Sequence, residues 1–258
     1  MTDPQKASPL HEALSKAPPA ILMFWLVKIC ATTVGETGGD ALSMTLKLGY
    51  ATATLIFLGI FVVMLVLQMR ARRYHPLTYW LLVVATTTVG TTTSDFIDRT
   101  LKVGYVASSA MLFGLVLVVL VAWKLATGAI RADKIVGSKD EAFYWLTILV
   151  SNTLGTALGD YTADDTGLNL GFETGAMLFG VLIAVVALAH KMKWAPQAVL
   201  FWAAYVLTRP LGATLGDTLT KPIADGGLHF GRITASLVIA GVMVALVLLS
   251  PKLRRPAT

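Results

Sequence analysis

Four aspartates stand at one fixed distance from four tryptophans. Asp40, Asp95, Asp160 and Asp217 follow Trp25, Trp80, Trp145 and Trp202 by fifteen residues each. The segments read FWLVKICATTVGETGGD, YWLLVVATTTVGTTTSD, YWLTILVSNTLGTALGD and FWAAYVLTRPLGATLGD. If each is a helix, its Asp sits at the C-terminal end, where the helix dipole disfavours a negative charge. A carboxylate repeated there four times calls for a compensating cation, a proton or a basic partner. Lys47 and Lys102, seven residues after Asp40 and Asp95, are candidate local partners. Glu36 and Glu173 add acids to apolar surroundings, and Lys28 and Arg209 add bases. Ionisable groups in such surroundings usually face a bundle interior and mark ion or proton paths. The chemistry these residues offer is therefore the coordination or relay of a small cation or a proton.

The elements that must position them are apolar. The chain has 258 residues, of which 55% are hydrophobic and 14% charged, with a mean hydropathy of +0.70. Soluble domains carry about 25% charge, so a soluble or disordered protein is excluded. The single cysteine, Cys30, rules out an internal disulfide framework. Leu48–Leu67, Val103–Trp123, Ala142–Gly159 and Ile233–Leu249 are free of charge throughout, and a bilayer needs roughly 20 apolar residues per helix. Eight spans are predicted, at about 20–39, 47–69, 77–94, 102–124, 142–159, 168–190, 195–216 and 230–250. They form one transmembrane domain, 19–250, between an N-terminal tail, 1–18, and a C-terminal tail, 251–258.

The basic residues set an orientation. Fourteen Lys and Arg fall in the tails and in the connections 70–76, 124–141 and 190–194, against five, Lys47, Arg99, Lys102, Lys221 and Arg232, on the other side. The positive-inside rule then places both termini in the cytoplasm. The net charge of +6 reads as orientation, and no nucleic-acid partner is expected. The lipid bilayer is the expected surrounding partner.

The repeat continues past each Asp. LKLGY, LKVGY, LNLGF and LHFGR open the even-numbered spans. Self-similarity at this period marks a repeat architecture: all-α, four parallel two-helix hairpins at about 19–73, 74–130, 139–193 and 194–250. Two spans per unit bring all four Asp to the outer face. The pairs Gly35/Gly39, Gly90/Ser94, Gly155/Gly159 and Gly212/Gly216 place small residues one turn apart, which lets membrane helices approach closely. Trp25, Trp80, Trp145 and Trp202 begin the odd spans and are expected to anchor them at the interface.

Lys28 and Arg209 break the repeat. Lys28 shares a helix face with Gly35, Glu36 and Gly39. It is expected to pair with Glu36 or a neighbour's acid, and Arg209 with Asp217 or Glu173. Pro210 is expected to kink its span. Hydroxyls precede each glycine (Thr32-Thr33, Thr86-Thr87-Thr88, Ser151-Asn152-Thr153, Thr208), where they can bond back to a carbonyl or line a polar path. The histidines are too scattered for haem ligation, and no cofactor motif is present. The HExxH and GxSxG patterns of hydrolases are absent, so an enzyme is not expected.

On these residues the chain resembles a family of bacterial multi-pass membrane proteins built of four tandem two-helix repeats with a characteristic Trp. The likeness covers residues 19–250. It implies the architecture, in the bacterial inner membrane, and no particular activity. Locally, CATTVGETGGD and TTTVGTTTSD resemble a potassium-channel filter, although no copy has the Tyr-Gly pair. The E-T-G-G-D pattern is also similar to cation exchangers, with one residue too many.

The expected function is transport of a small cation, with a divalent metal coupled to protons as one candidate, through Asp40, Asp95, Asp160, Asp217, Glu36, Glu173, Lys28 and Arg209. A non-transporting scaffold or sensor, and a pseudo-fourfold channel with filter-like segments, stand as alternatives. The metal and the oligomeric state stay open.

Overall fold

A computed structural model describes residues 16–130 and 137–251. The two tails, apart from residues 16–18 and 251, and residues 131–136 of one connection lie outside the described residues. Eight α-helices follow one another: α1 Leu22–Asp40, α2 Gly49–Arg70, α3 Pro76–Asp95, α4 Tyr105–Thr127, α5 Ser138–Ala163, α6 Phe172–Lys191, α7 Gln197–Thr220 and α8 Arg232–Leu249. They match the eight expected spans in order. No strand occurs among the described residues.

The local signals explain the ends. Pro76 opens α3 at a position where its missing N–H costs nothing. Gly128, left-handed at φ 82°, stops α4. Lys47, Lys102, Asn169 and His229, the second residues of the four LxxG motifs, all adopt positive φ between 52° and 57°. The sequence repeat is thus also a backbone repeat. After Asp40 and Asp95 the chain continues into π-type turns, Ala41–Thr45 and Phe96–Thr100.

The helices sort into two shells. The odd helices α1, α3, α5 and α7 touch in a closed ring, α7 packing back on α1. The even helices lie outside, and their pairing corrects the hairpin expectation. Helix α2 packs on α3, α4 on α5, α6 on α7, and α8 closes onto α1. The outer helix of one unit therefore leans mainly on the inner helix of the next.

Five helices, α2, α4, α6, α7 and α8, are long and apolar enough to cross a membrane. Helices α1, α3 and α5 are the exceptions because Thr, Gly and acidic residues replace aliphatics along them. Most of those polar groups are buried inside the ring, so the outer shell separates them from the surroundings. Ile60, Val63, Leu115, Val118, Val181 and Leu237 leave the outer helices exposed and apolar, as a lipid-facing wall would be.

The glycine pairs hold the inner ring, as their spacing predicts. A methyl group at Gly35 would collide with Thr87, at Gly90 with Asn152, at Gly155 with Arg209 and at Gly212 with Thr32. Each glycine thus receives the residue three positions before the next helix's own glycine, around a complete circuit. One turn on, Gly39 faces Thr91, Gly159 faces Ala213 and Gly216 faces Glu36. Ser94 is the exception among these second members. It is fully buried, yet its Oγ has no hydrogen-bond partner among the described residues. Helix α7 runs unbroken through Pro210.

Candidate functional site

The circuit stacks equivalent residues in layers along the axis of the inner ring. Seven residues before the glycines come Lys28, Val83, Ile148 and Tyr205. Three before come Thr32, Thr87, Asn152 and Arg209, and one after come Glu36, Thr91, Thr156 and Ala213. Five after comes the Asp set.

Arg209 fills the middle. Its side chain is fully buried, and it reaches across the axis to every other inner helix. It donates to the Thr32 carbonyl at 3.1 Å, to Glu36 Oε2 at 3.0 Å, to the Thr87 carbonyl at 3.4 Å and to Thr156 Oγ1 at 2.6 Å. It also donates to Thr91 Oγ1, which in turn donates to Glu36 Oε2 at 3.2 Å. The expected partners Asp217 and Glu173 are not the ones found. One turn of α1 beyond Thr32 brings Glu36 against Gly216, where a side chain on α7 would exclude it.

Lys28 lies one layer below and is fully buried. It donates to Asn152 Oδ1 at 3.4 Å and rests 4.3 Å over the ring of Tyr205. Its expected pairing with Glu36 is replaced by this contact, because Arg209 occupies the layer between them. Asn152 is fixed by donating to Thr86 Oγ1 at 3.0 Å.

The four Asp converge at the far end. All are buried. Arg99 joins Asp95 at 2.9 Å to Asp160 at 3.7 Å. Lys221 joins Asp40 at 3.6 Å to Asp217 at 3.4 Å, and Arg232 reaches Asp40 at 3.3 Å. Oxygens of Glu36, Asp40 and Asp217 lie within 4.8 Å of one another, close enough to share an ion. Burial alone would lower the pKa of Lys221, but Asp217, Asp40 and Asp160 hold it well above the usual lysine value. Burial opposes the charge of Arg99 too, and Asp160 and Asp95 raise its pKa in the same way.

Sequence reasoning missed these cations as partners. Lys47 and Lys102, the expected ones, are exposed. The signal was present: Arg99 and Lys221 stand four residues after Asp95 and Asp217, one helical turn on. Arg232 occupies the place held by Tyr50, Tyr105 and Phe172 in the other units. Glu173 is exposed in the first turn of α6, outside the ring of acids.

The other end is aromatic. Trp80, Trp145 and Trp202 are buried, and only Trp25 is half-exposed. Contacts run from Trp25 to Phe201 at 5.6 Å, Trp80 to Phe24 at 5.6 Å, Trp145 to Tyr79 at 5.5 Å and Trp202 to Tyr144 at 5.8 Å. The tryptophans thus join neighbouring repeats instead of standing outward as an interface belt. Tyr79 and Tyr144 close the axis beneath Lys28 through a 2.8 Å hydrogen bond between their hydroxyls.

The filter-like TTVG and TTTVG segments lie inside α1 and α3. Their carbonyls are engaged in helical hydrogen bonding, and those of Thr32 and Thr87 also accept from Arg209, at 3.1 and 3.4 Å. A carbonyl-lined filter is not what these segments build.

Four segments, residues 23–74, 78–129, 143–193 and 200–255, match the family described as Repeat of Unknown Function. No curated protein and no solved structure matches the chain.

Proposed function

Because the chain belongs to the Repeat of Unknown Function (DUF347) family, we propose its function from its geometry: membrane transport of a small cation, coupled to protons, along the axis of the inner ring. In this reading the four odd helices cross a bacterial inner membrane in the same direction, both termini are cytoplasmic, and the Asp face the outside.

One observation carries the reading. Five buried carboxylates, Glu36, Asp40, Asp95, Asp160 and Asp217, have only four cations within ion-pair distance among the described residues, Arg99, Arg209, Lys221 and Arg232. An unbalanced buried charge is costly, so the group favours one further proton or metal ion. The cluster of Glu36, Asp40 and Asp217 supplies hard oxygen ligands, which suit a divalent cation such as Mg2+, Ca2+ or Mn2+.

The scaffold or sensor reading draws on Arg209. A guanidinium held by hydrogen-bonding groups from three other helices closes the axis and sets fixed positive charge in a cation's way. Transport then requires Arg209 to move when Glu36 changes partner.

Thermal unfolding in detergent tests for the bound cation that transport requires, since a ligand bound by the native state raises stability by mass action. Across a panel of mono- and divalent cations, transport predicts a concentration-dependent rise in Tm that the quadruple Asp→Asn variant lacks. The same Tm with every cation, in both proteins, contradicts it.

A further inference from the structure

The outer helices share a register, and it exposes a difference among the four crevices they cover. Nineteen residues after Gly49, Gly104, Gly171 and Gly231 stand Gln68, Trp123, His190 and Ser250. Gln68, Trp123 and Ser250 are buried. Trp123 plugs its crevice, stacking on Phe143 at 6.4 Å, meeting Trp202 edge-on at 6.0 Å and donating to Asp140 at 2.8 Å. Gln68 donates to the Lys16 carbonyl at 3.4 Å, beside the ion pair of Lys16 with Glu141 at 2.7 Å. His190 alone is exposed.

In its place a groove of about 280 Å³ runs between α6, α7 and α1. Trp25, the one repeat tryptophan left half-exposed, forms part of its wall, with Ile183, Val186, Ala187 and Phe201. Its side-chain polar groups include His190 and Gln197, and the residues that follow His190 in the chain, Lys191, Lys193 and Trp194, are exposed at and just past the end of α6.

We propose that this groove binds an anionic phospholipid: an acyl chain lies against Trp25 and Phe201, and His190, Lys191 and Lys193 hold the headgroup phosphate. Three features select that occupant. The groove opens on the apolar outer wall, its lining gives an aqueous solute few hydrogen bonds, and the exposed basic and aromatic residues that follow His190 in the chain are the combination that recognises anionic headgroups at a membrane surface. It lies at the aromatic end of the bundle, away from the acid cluster. The inference rests on the bilayer reading above and is independent of transport.

Native mass spectrometry tests it on the full chain released from detergent with equal amounts of phosphatidylglycerol and phosphatidylcholine of the same acyl chains. The wild type is expected to retain one phosphatidylglycerol, preferred roughly tenfold over phosphatidylcholine. Ala187→Trp and Leu22→Trp fill the groove from its two exposed edges, and either one, if folded, is expected to retain none. H190Q/K191Q/K193Q is expected to retain the two lipids alike. Retention by a folded groove-filling variant equal to that of wild type overturns the proposal. So does a wild type that prefers neither headgroup, or that flies free of lipid as a monomer or as a dimer. None of these outcomes depends on ion flux, so a failed transport test leaves this one standing.

Discussion

Arg209 and Glu36 meet at 3.0 Å with both side chains buried, and they join the last repeat to the first. Neither residue has a charged counterpart in the other units, where Thr32, Thr87 and Asn152 or Thr91, Thr156 and Ala213 stand. The pair thus breaks the fourfold pattern at the seam where the ring closes. Among the described residues it is also the one ion pair between the aromatic end and the layer of Asp residues.

Removing one partner leaves the other charge buried and alone, which typically costs about 3–5 kcal/mol. Arg209→Met and Glu36→Leu are each expected to destabilise by about that much, measured by thermal unfolding in detergent. The double variant R209M/E36L is expected to lose clearly less than the two losses added together, because both charges go at once. Strict additivity would show that the two groups do not act on each other.

The ring glycines and the outer glycines should respond in opposite ways. Gly90→Ala puts a methyl 2.9 Å from the Asn152 backbone, and such overpacking costs about 1–3 kcal/mol. Gly114→Ala meets nothing within 4 Å, and in mid-helix Ala is favoured over Gly by up to about 1 kcal/mol. Gly90→Ala should therefore lower Tm, and Gly114→Ala should leave it unchanged or raise it. A similar fall in both variants would contradict the close helix contact.

Lys221 gives a test by chemical labelling. Its folded pKa is raised, so its ion pairs contribute stability fully below the unfolded value of about 10.4 and lose it only as pH climbs through the higher folded value. Near pH 9 it should stay charged and unreactive. Lys47 and Lys102, both exposed, should acylate readily with an amine reagent in intact protein, read by peptide mass spectrometry. Equal labelling of Lys221 would mean that the acid cluster is open or its cation unpaired.

The orientation can be read by thiol accessibility in a Cys30→Ser background. Lys102→Cys, beside the acid end, should react with a membrane-impermeant maleimide on intact cells. Lys193→Cys, at the aromatic end, should react only after the membrane is opened. The reverse pattern would invert the topology, and equal labelling of both would argue against a spanning bundle.

Much of this was legible in the sequence because the repeat constrains it. The Trp-to-Asp spacing located all four inner helices, and the small-residue pairs identified the faces on which they meet. Ser94 shows the limit of that signal, since spacing marks a small residue without saying whether its hydroxyl finds a partner. The pairing of the outer helices was not legible, since hydropathy marks a span without marking its neighbour. Nor were the partners of the buried bases. Lys28 and Glu36 share a helix face, yet Arg209 arrives between them from the far end of the chain, and only the closed ring brings it there. The tryptophans misled for a related reason: an indole suits a membrane interface and a helix junction equally, and burial decides between them.

The most direct measurement is cation flux in proteoliposomes, with internal pH and metal-sensitive dyes, for the wild type and the D40N/D95N/D160N/D217N variant. Reconstitution of both in equal, folded amounts is the control. The wild type is expected to carry at least one cation of a mono- and divalent panel, with proton movement, and the variant to carry none. Equal flux in both, or none in the wild type for any cation, would contradict the pathway role of the acids.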